Sequence, residues 1–151
     1  DVELQIWGDM DTFADYKARL DRHLDNPRIK IRGRFDPRDV AKVMAGIDVL
    51  VVPSLWFENS PLTIHEAWMA GIPVIASNRG GMAELVEDGV NGLHFEIGNA
   101  VDLRAKMKRL IADRGLLARM REHGGRVKTI AENAREIEGC YFDLLSRAPV
   151  G

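Results

Sequence analysis

Pro53 closes the apolar run Val49-Leu50-Val51-Val52, and a helix signal opens shortly after it at Ser60-Pro61. A short run of this kind, stopped by proline, reads as a strand buried on both faces of a parallel sheet. Ser60 suits an N-cap and Pro61 the first helical position. The unit is therefore strand, loop, helix, with Glu58 in the loop at the strand's carboxyl end and Glu66 on the helix. In an open α/β sheet the crevice beyond those strand ends is where ligands bind. The bare amides at the helix start attract phosphate. Two carboxylates beside phosphate donors suit a ligand that is part diphosphate and part sugar.

The remaining chain repeats the alternation. Residues 2–7 read as a strand stopped by Gly8, and Phe13, Tyr16, Leu20 and Leu24 follow at helical spacing. Residues 28–32 read as a strand closed by Gly33. Asp36-Pro37 starts a helix carrying Val40 and Val43, and residues 47–52 form the most apolar strand. The helix after Ser60 is expected to end near Gly71, before a short strand at residues 73–76. Gly80-Gly81 opens a helix through Val86, and Gly89 and Gly92 bracket a turn into Leu93-His94-Phe95. Beyond that the chain reads as helical, with Leu103, Met107, Leu110 and Ile111 on one face. Val127, Ile130, Ala134, Ile137, Tyr141 and Leu144 form a second stripe, on a last helix from about residue 125 to 146. Strands alternating with helices define an α/β fold with a doubly wound parallel sheet.

Composition excludes several classes. The 151 residues suffice for one domain with a sizeable core. A net charge of −2 supplies no basic footprint for nucleic acid. No apolar stretch approaches the ~20 residues of a membrane span, and no signal peptide is visible. Cys140 is the single cysteine, so no internal disulfide is possible, which fits a reducing compartment. The chain starts without methionine on the alternating Val2, Leu4 and Ile6. It is therefore expected to be a piece of a longer protein.

These residues resemble the C-terminal, nucleotide-sugar-binding half of retaining glycosyltransferases of the GT-B fold. The nearest group is glycosyltransferase family 4, which includes sucrose synthases and many bacterial sugar transferases. The resemblance runs from about Val2 to Leu145. Its specific part is Glu58-x7-Glu66 followed by Ala67-Trp68-Met69-Ala70-Gly71-Ile72-Pro73-Val74-Ile75-Ala76-Ser77. Gly80-Gly81, Glu84-Leu85-Val86 and Asp88-Gly89-Val90-Asn91-Gly92 come after it. A bare pair of glutamates at this spacing is weak, whereas the framed pair is specific.

The resemblance implies roles residue by residue. Glu58 would face the donor sugar and steady charge in the transition state. Glu66 would accept the ribose hydroxyls, since a carboxylate can take both bonds of a vicinal diol. The segment Asn59-Ser60-Pro61 would hold the diphosphate through amides near the helix start. Pro61 has no N–H, so the Leu62 and Thr63 amides become the expected phosphate donors. The turn Gly33-Arg34-Phe35 matches the nucleobase-contacting segment, with Phe35 or Arg34 stacking on a uracil or guanine that the sequence does not name. No metal and no cofactor are implied, the UDP- or GDP-linked sugar being the substrate.

The resemblance also implies what this chain lacks. An N-terminal acceptor domain is expected outside residues 1–151, so that the isolated chain binds nucleotide weakly without turning over. The family's first strand and helix, which supply an arginine and a lysine to the diphosphate, would lie upstream of Asp1. In the strand order 3-2-1-4-5-6 that missing strand is the central one. Two arrangements are expected: the strand at 2–7 pairs directly with that at 47–52, or a partner chain fills the gap, giving a homo-oligomer. The last helix is a second candidate interaction surface. The location implied is cytoplasmic, membrane-peripheral only through the absent domain.

Plainer readings stand beside these. Glu58 and Glu66 would be favoured near a helix start in any case. Gly80-Gly81 serves a tight turn as readily as a phosphate or sugar contact. His65 reads as a packing residue and His94 as locally satisfied. Trp56 and Trp68 read as core, with Trp56 adjoining the expected sugar pocket, and Cys140 as a buried small hydrophobe. The charges from Arg104 to Arg109 and Arg119 to Arg126 read as a solvated face. The alternative functions are a nucleotide-sugar-binding or regulatory module without transfer activity, and a sugar-nucleotide epimerase or phosphorylase on the same fold. A dinucleotide-binding dehydrogenase is disfavoured, because no G-x-G-x-x-G follows the first strand.

Overall fold

The computed structural model describes residues 2–147. Five parallel strands alternate with helices: β1 (Leu4–Trp7), α1 (Ala14–Asp21), β2 (Ile29–Gly33), a 3-10 turn (Pro37–Asp39) running into α2 (Val40–Ala45), β3 (Leu50–Val52), α3 (Leu62–Met69), β4 (Val74–Ser77), α4 (Gly81–Leu85) and β5 (Gly92–Phe95). Three helices finish the chain: α5 (Ala100–Ala112), α6 (Arg114–Glu122) and α7 (Ile130–Arg147). This is the expected α/β order.

The strands form two separate sheets. β1 pairs with β2, and β3, β4 and β5 pair in that order, every ladder parallel. β1 does not pair with β3, so the first of the two expected arrangements is not the one adopted. The two sheets instead flank a cleft of about 590 Å³, lined by Leu4 and Ile6 on one side and Val49 and Val51 on the other. Leu103, Met107 and Leu110 form part of its apolar floor.

Alternation along β3 and β4 feeds two cores, one on each face of the three-stranded sheet. Val52, Val74 and Ala76 join Ile64, Ala67 and Trp68 of α3 and Met82 of α4. Ile75, Leu93 and Phe95 meet Leu110 of α5 and Leu116, Leu117 and Met120 of α6. Ile64, Val74, Met82, Leu93 and Met120 are fully buried. Removing a side chain of that size from water contributes about 1.5–3 kcal/mol. Helices on both faces leave the β3–β4–β5 strands without a wet side, which is why they read as continuous apolar runs.

The C-terminal third departs from a single helical reading. Asp113 ends α5 and its carboxylate caps α6 through the Leu116 amide at 2.8 Å. Residues 124–129 are neither helix nor strand, and α7 begins five residues later than expected. Thr129 and Glu132 form a reciprocal cap there: the Thr129 amide donates to Glu132 at 2.8 Å, and the Glu132 amide to Thr129 Oγ1 at 3.2 Å. No residue of α7 is buried. Its stripe of Ile130, Ile137, Tyr141 and Leu144 faces outward. Cys140 lies on this helix and is exposed, correcting its reading as a buried hydrophobe. None of the helix's residues is buried, and its cysteine is in water with the rest.

Candidate donor-binding site

Every ladder is parallel, so within each sheet the carboxyl ends of the strands share one edge. Gly8 and Asp9 after β1 and Gly33 to Phe35 at the end of β2 lie on that edge of the smaller sheet, and Ser54 to Ser60 after β3 and Asn78 to Gly81 after β4 on that of the larger. It is the edge at which a doubly wound sheet binds ligands.

α3 starts one residue later than its sequence suggests. Pro61 is the N-cap, in extended conformation, and Leu62 is the first helical residue. Ser60 therefore caps nothing. Its hydroxyl lies 2.7 Å from His65 Nε2 instead, a contact that the next turn of the helix brings within reach. Leu62 and Thr63 open the helix, so their N–H groups have no intrahelical acceptor. The Ile64 amide is already committed to the Pro61 carbonyl at 3.0 Å. Leu62 is 75% exposed, which leaves this end of α3 open to an anion.

Glu66 sits four residues after Leu62 and three after Thr63, on the same helical face. Helical side chains lean toward the N-terminus, so the Glu66 carboxylate leans toward the bare amides. It is half-buried, and no side chain among the described residues bonds it. His65 packs edge-on against Trp68, with ring centroids 5.8 Å apart, as its packing role predicts.

Glu58 is held firmly. Its Oε1 accepts from Trp56 Nε1 at 2.8 Å and from Ser54 Oγ at 3.1 Å. Its carbonyl accepts the Gly81 amide at 2.7 Å, tying the β3–α3 loop to the start of α4. The glycine pair makes that approach possible. Gly80 has φ +54°, and a Cβ on Gly81 would stand 1.5 Å from the Asn59 carbonyl oxygen. Gly80-Gly81 thus supports the loop bearing Glu58 and Asn59. Trp56 is 71% exposed, which corrects its assignment to the core; Trp68 is buried as expected. The indole of Trp56 is kept at the surface because its N–H turns back to Glu58.

Arg79 completes the loop. Its guanidinium lies 4.2 Å from the Phe57 ring centroid and donates to the Leu55 carbonyl at 3.0 Å. Arg79 and Ser54 were not singled out in the sequence, and Trp56 only as a core residue adjoining the expected sugar pocket. The available signal was Ser and Trp four and two positions before the glutamate, which the loop curls back onto it.

On the β1–β2 side, Gly33 accepts the Gly8 amide at 2.9 Å. Arg34 pairs with Asp9. The Thr12 hydroxyl, the Asp11 amide and Arg34 together hold the Asp9 carboxyl far below the usual carboxylate range. Phe35 meets Trp7 edge-on, with centroids 5.5 Å apart. Arg34 is thus engaged by a carboxylate, and Phe35 keeps about a third of its surface exposed at the site edge. Among the described residues no group of three His, Cys, Asp or Glu is placed to hold a metal ion. Nor is any helix there long and apolar enough to cross a membrane.

The parallel strands, the alternating helices and the crevice beyond the strand ends match the Rossmann-like fold of GT-B glycosyltransferase structures. Residues 1–127 match the family described as glycosyl transferases group 1, and the chain belongs to that family. It is 30% identical over 124 residues to the lipopolysaccharide core biosynthesis glycosyltransferase LpsE of Rhizobium meliloti, covering 81% of this chain and 35% of that protein. It is 27% identical over 145 residues to the UDP-Gal:alpha-D-GlcNAc-diphosphoundecaprenol alpha-1,3-galactosyltransferase of Escherichia coli, covering 93% of this chain and 36% of that one. Among solved structures, Anabaena Alr3699/HepE in complex with UDP superimposes with a TM-score of 0.74 at 30% identity, over 82% of this chain and 35% of that chain. The same protein has been solved with UDP-glucose. The chain thus spans about a third of the length of these three relatives.

Proposed function

We propose that this chain is the donor-binding part of a retaining glycosyltransferase of family 4, which transfers a sugar from a UDP- or GDP-linked donor to a hydroxyl acceptor. The observation that carries the reading is the convergence at α3. Bare Leu62 and Thr63 amides, an unbonded Glu66 one turn further along and an anchored Glu58 lie along one strand-end edge. The structural relatives solved with UDP and UDP-glucose support it.

In this reading the diphosphate rests on the Leu62 and Thr63 amides and the helix dipole, beside Asn59 and Ser60. Those groups stabilise the leaving diphosphate without a metal. Glu66 accepts both ribose hydroxyls. Gly33, Arg34 and Phe35 form the base-contacting edge, Phe35 stacking and Arg34 held by Asp9. Glu58 contacts the sugar and stabilises its partial positive charge. The acceptor site and an N-terminal domain belong to the rest of a longer, cytoplasmic protein, and the isolated chain does not turn over. A further parallel strand, carrying an arginine and a lysine to the diphosphate, fills the cleft between β1 and β3. That cleft, or the apolar face of α7, is also where a second copy would associate.

The test is calorimetric titration of the chain with UDP and GDP, in the absence of metal, for the wild type and Glu66→Ala. Binding of one nucleotide, weakened at least about tenfold in the variant, is the expected outcome for loss of a charge-assisted pair of hydrogen bonds. Equal affinities of the two proteins would remove Glu66 from the ribose site. One observation favours a second reading, a binding module without transfer activity: Pro61 at the α3 N-cap offers no N–H to the diphosphate. Product analysis on the longer protein separates transfer from binding alone and from epimerisation.

A further inference from the structure

Glu58 is bonded asymmetrically. Both donors that reach its carboxylate, Trp56 Nε1 at 2.8 Å and Ser54 Oγ at 3.1 Å, go to Oε1. None of the hydrogen bonds among the described residues reaches Oε2. A carboxylate has acceptor capacity at both oxygens, so the free one keeps its lone pairs for a ligand. The backbone that presents it is also tethered at two points. The Gly81 amide holds the Glu58 carbonyl, and Arg79 holds the Leu55 carbonyl while capping the Phe57 ring. Trp56 is 71% exposed, so burial does not account for its placement. An exposed indole gains little from packing; its directed contact is the bond to Glu58.

We propose that Trp56 and Ser54 are positioning residues that fix Glu58 through Oε1, so that Oε2 alone accepts from a hydroxyl of the donor sugar. This rests on the donor-site reading above. Orientation is what the pair supplies. A glutamate side chain in a loop samples several rotamers, and two directed bonds to one oxygen select one of them. Trp56 makes the shorter bond, so its removal has the larger effect. The nucleotide end of the ligand, at α3, does not depend on this bond.

The test uses the ¹⁵N-labelled chain with Trp56→Phe, Ser54→Ala and Glu58→Ala. The Trp56 indole N–H resonance is assigned by its loss in Trp56→Phe. In Glu58→Ala it is expected to shift and to exchange severalfold faster, whereas the resonances of Trp7 and Trp68 stay in place. Affinities for UDP, UDP-glucose, GDP and GDP-mannose are then measured by calorimetry. Trp56→Phe is expected to leave the nucleotide diphosphate affinity unchanged and to weaken binding of the matching sugar nucleotide about fivefold, since Glu58 keeps its bond to the sugar but loses its fixed rotamer. Adding Trp56→Phe to Glu58→Ala should weaken it no further.

An indole resonance indifferent to Glu58→Ala would overturn the clamp itself. A Trp56→Phe variant that binds diphosphate and sugar nucleotide equally worse would make Trp56 a general structural support and overturn the positioning role. So would one that binds both as the wild type does. A wild type that binds none of the four ligands defeats the donor-site reading, and the assignment of Oε2 to a sugar falls with it. The indole resonances still decide the clamp in that case.

Discussion

Gly81 has no room for a side chain, and that single fact links two parts of the site. An added Cβ would collide with the Asn59 carbonyl oxygen, so Gly81→Ala must push the Glu58 loop away from α4. The expected cost is about 1–3 kcal/mol, as for other overpacked sites. A lower Tm together with weakened sugar-nucleotide binding checks it; an unchanged Tm would mean the loop yields freely. The sequence offered the glycine pair with two readings, a turn or a ligand contact. The structure supplies a third partner, the loop backbone itself, which no local pattern could name. Trp56 and Cys140 were misjudged for a related reason. Hydrophobic type predicts burial only on average, and whether a partner surface exists is a tertiary matter. Trp68, read as core, is buried on α3 one turn after Ile64, and both meet the same core.

At the scale of the element, α3 is the part on which binding depends. Its N-cap Pro61 has φ −60° and ψ 117°, which a following proline tolerates. Leu62→Pro should therefore remove one amide donor while leaving the helix intact, since proline suits the first helical position. Nucleotide affinity is expected to fall about tenfold for one lost charge-assisted bond. Calorimetry with UDP beside circular dichroism checks both halves, and full affinity would place the diphosphate elsewhere. α7 depends on its cap. Thr129 and Arg126 hold the Glu132 carboxyl down to about 2, from an ordinary value near 4.5. A carboxyl depressed in the fold stabilises above its unfolded value, and that contribution is lost as pH falls through the folded one. The first turn of α7 is thus expected to fray between about pH 4.5 and 2, read from the amide resonances of residues 130–134. In Glu132→Ala, which removes the acceptor, the fraying should be present already at pH 7. The α7 boundary was misplaced in the sequence because Val127 and Ile130 continue a helical stripe across a stretch that the Thr129–Glu132 cap interrupts.

For the whole molecule, the decisive feature is the break between two sheets. A two-stranded sheet with unpaired edges is marginal on its own, whereas β3–β4–β5 is buried on both faces. Amides of β1 and β2 should therefore exchange with solvent well before those of β4, which native-state hydrogen exchange measures. Equal protection would mean that the cleft between β1 and β3 closes in solution. The sequence by itself determined the α/β class, the order of the elements and the strand-end position of Glu58 and Glu66. Each of these follows from local periodicity, from proline and glycine, and from the rule that parallel strands place their carboxyl ends together. Only the tertiary structure decided that β1 stands apart from β3, that Trp56 turns outward to hold Glu58, and that Gly81 supports the loop beside it. Those outcomes depend on edges, cavities and close approaches between segments distant in the chain, where the energy lies in pairs of residues rather than in any one of them.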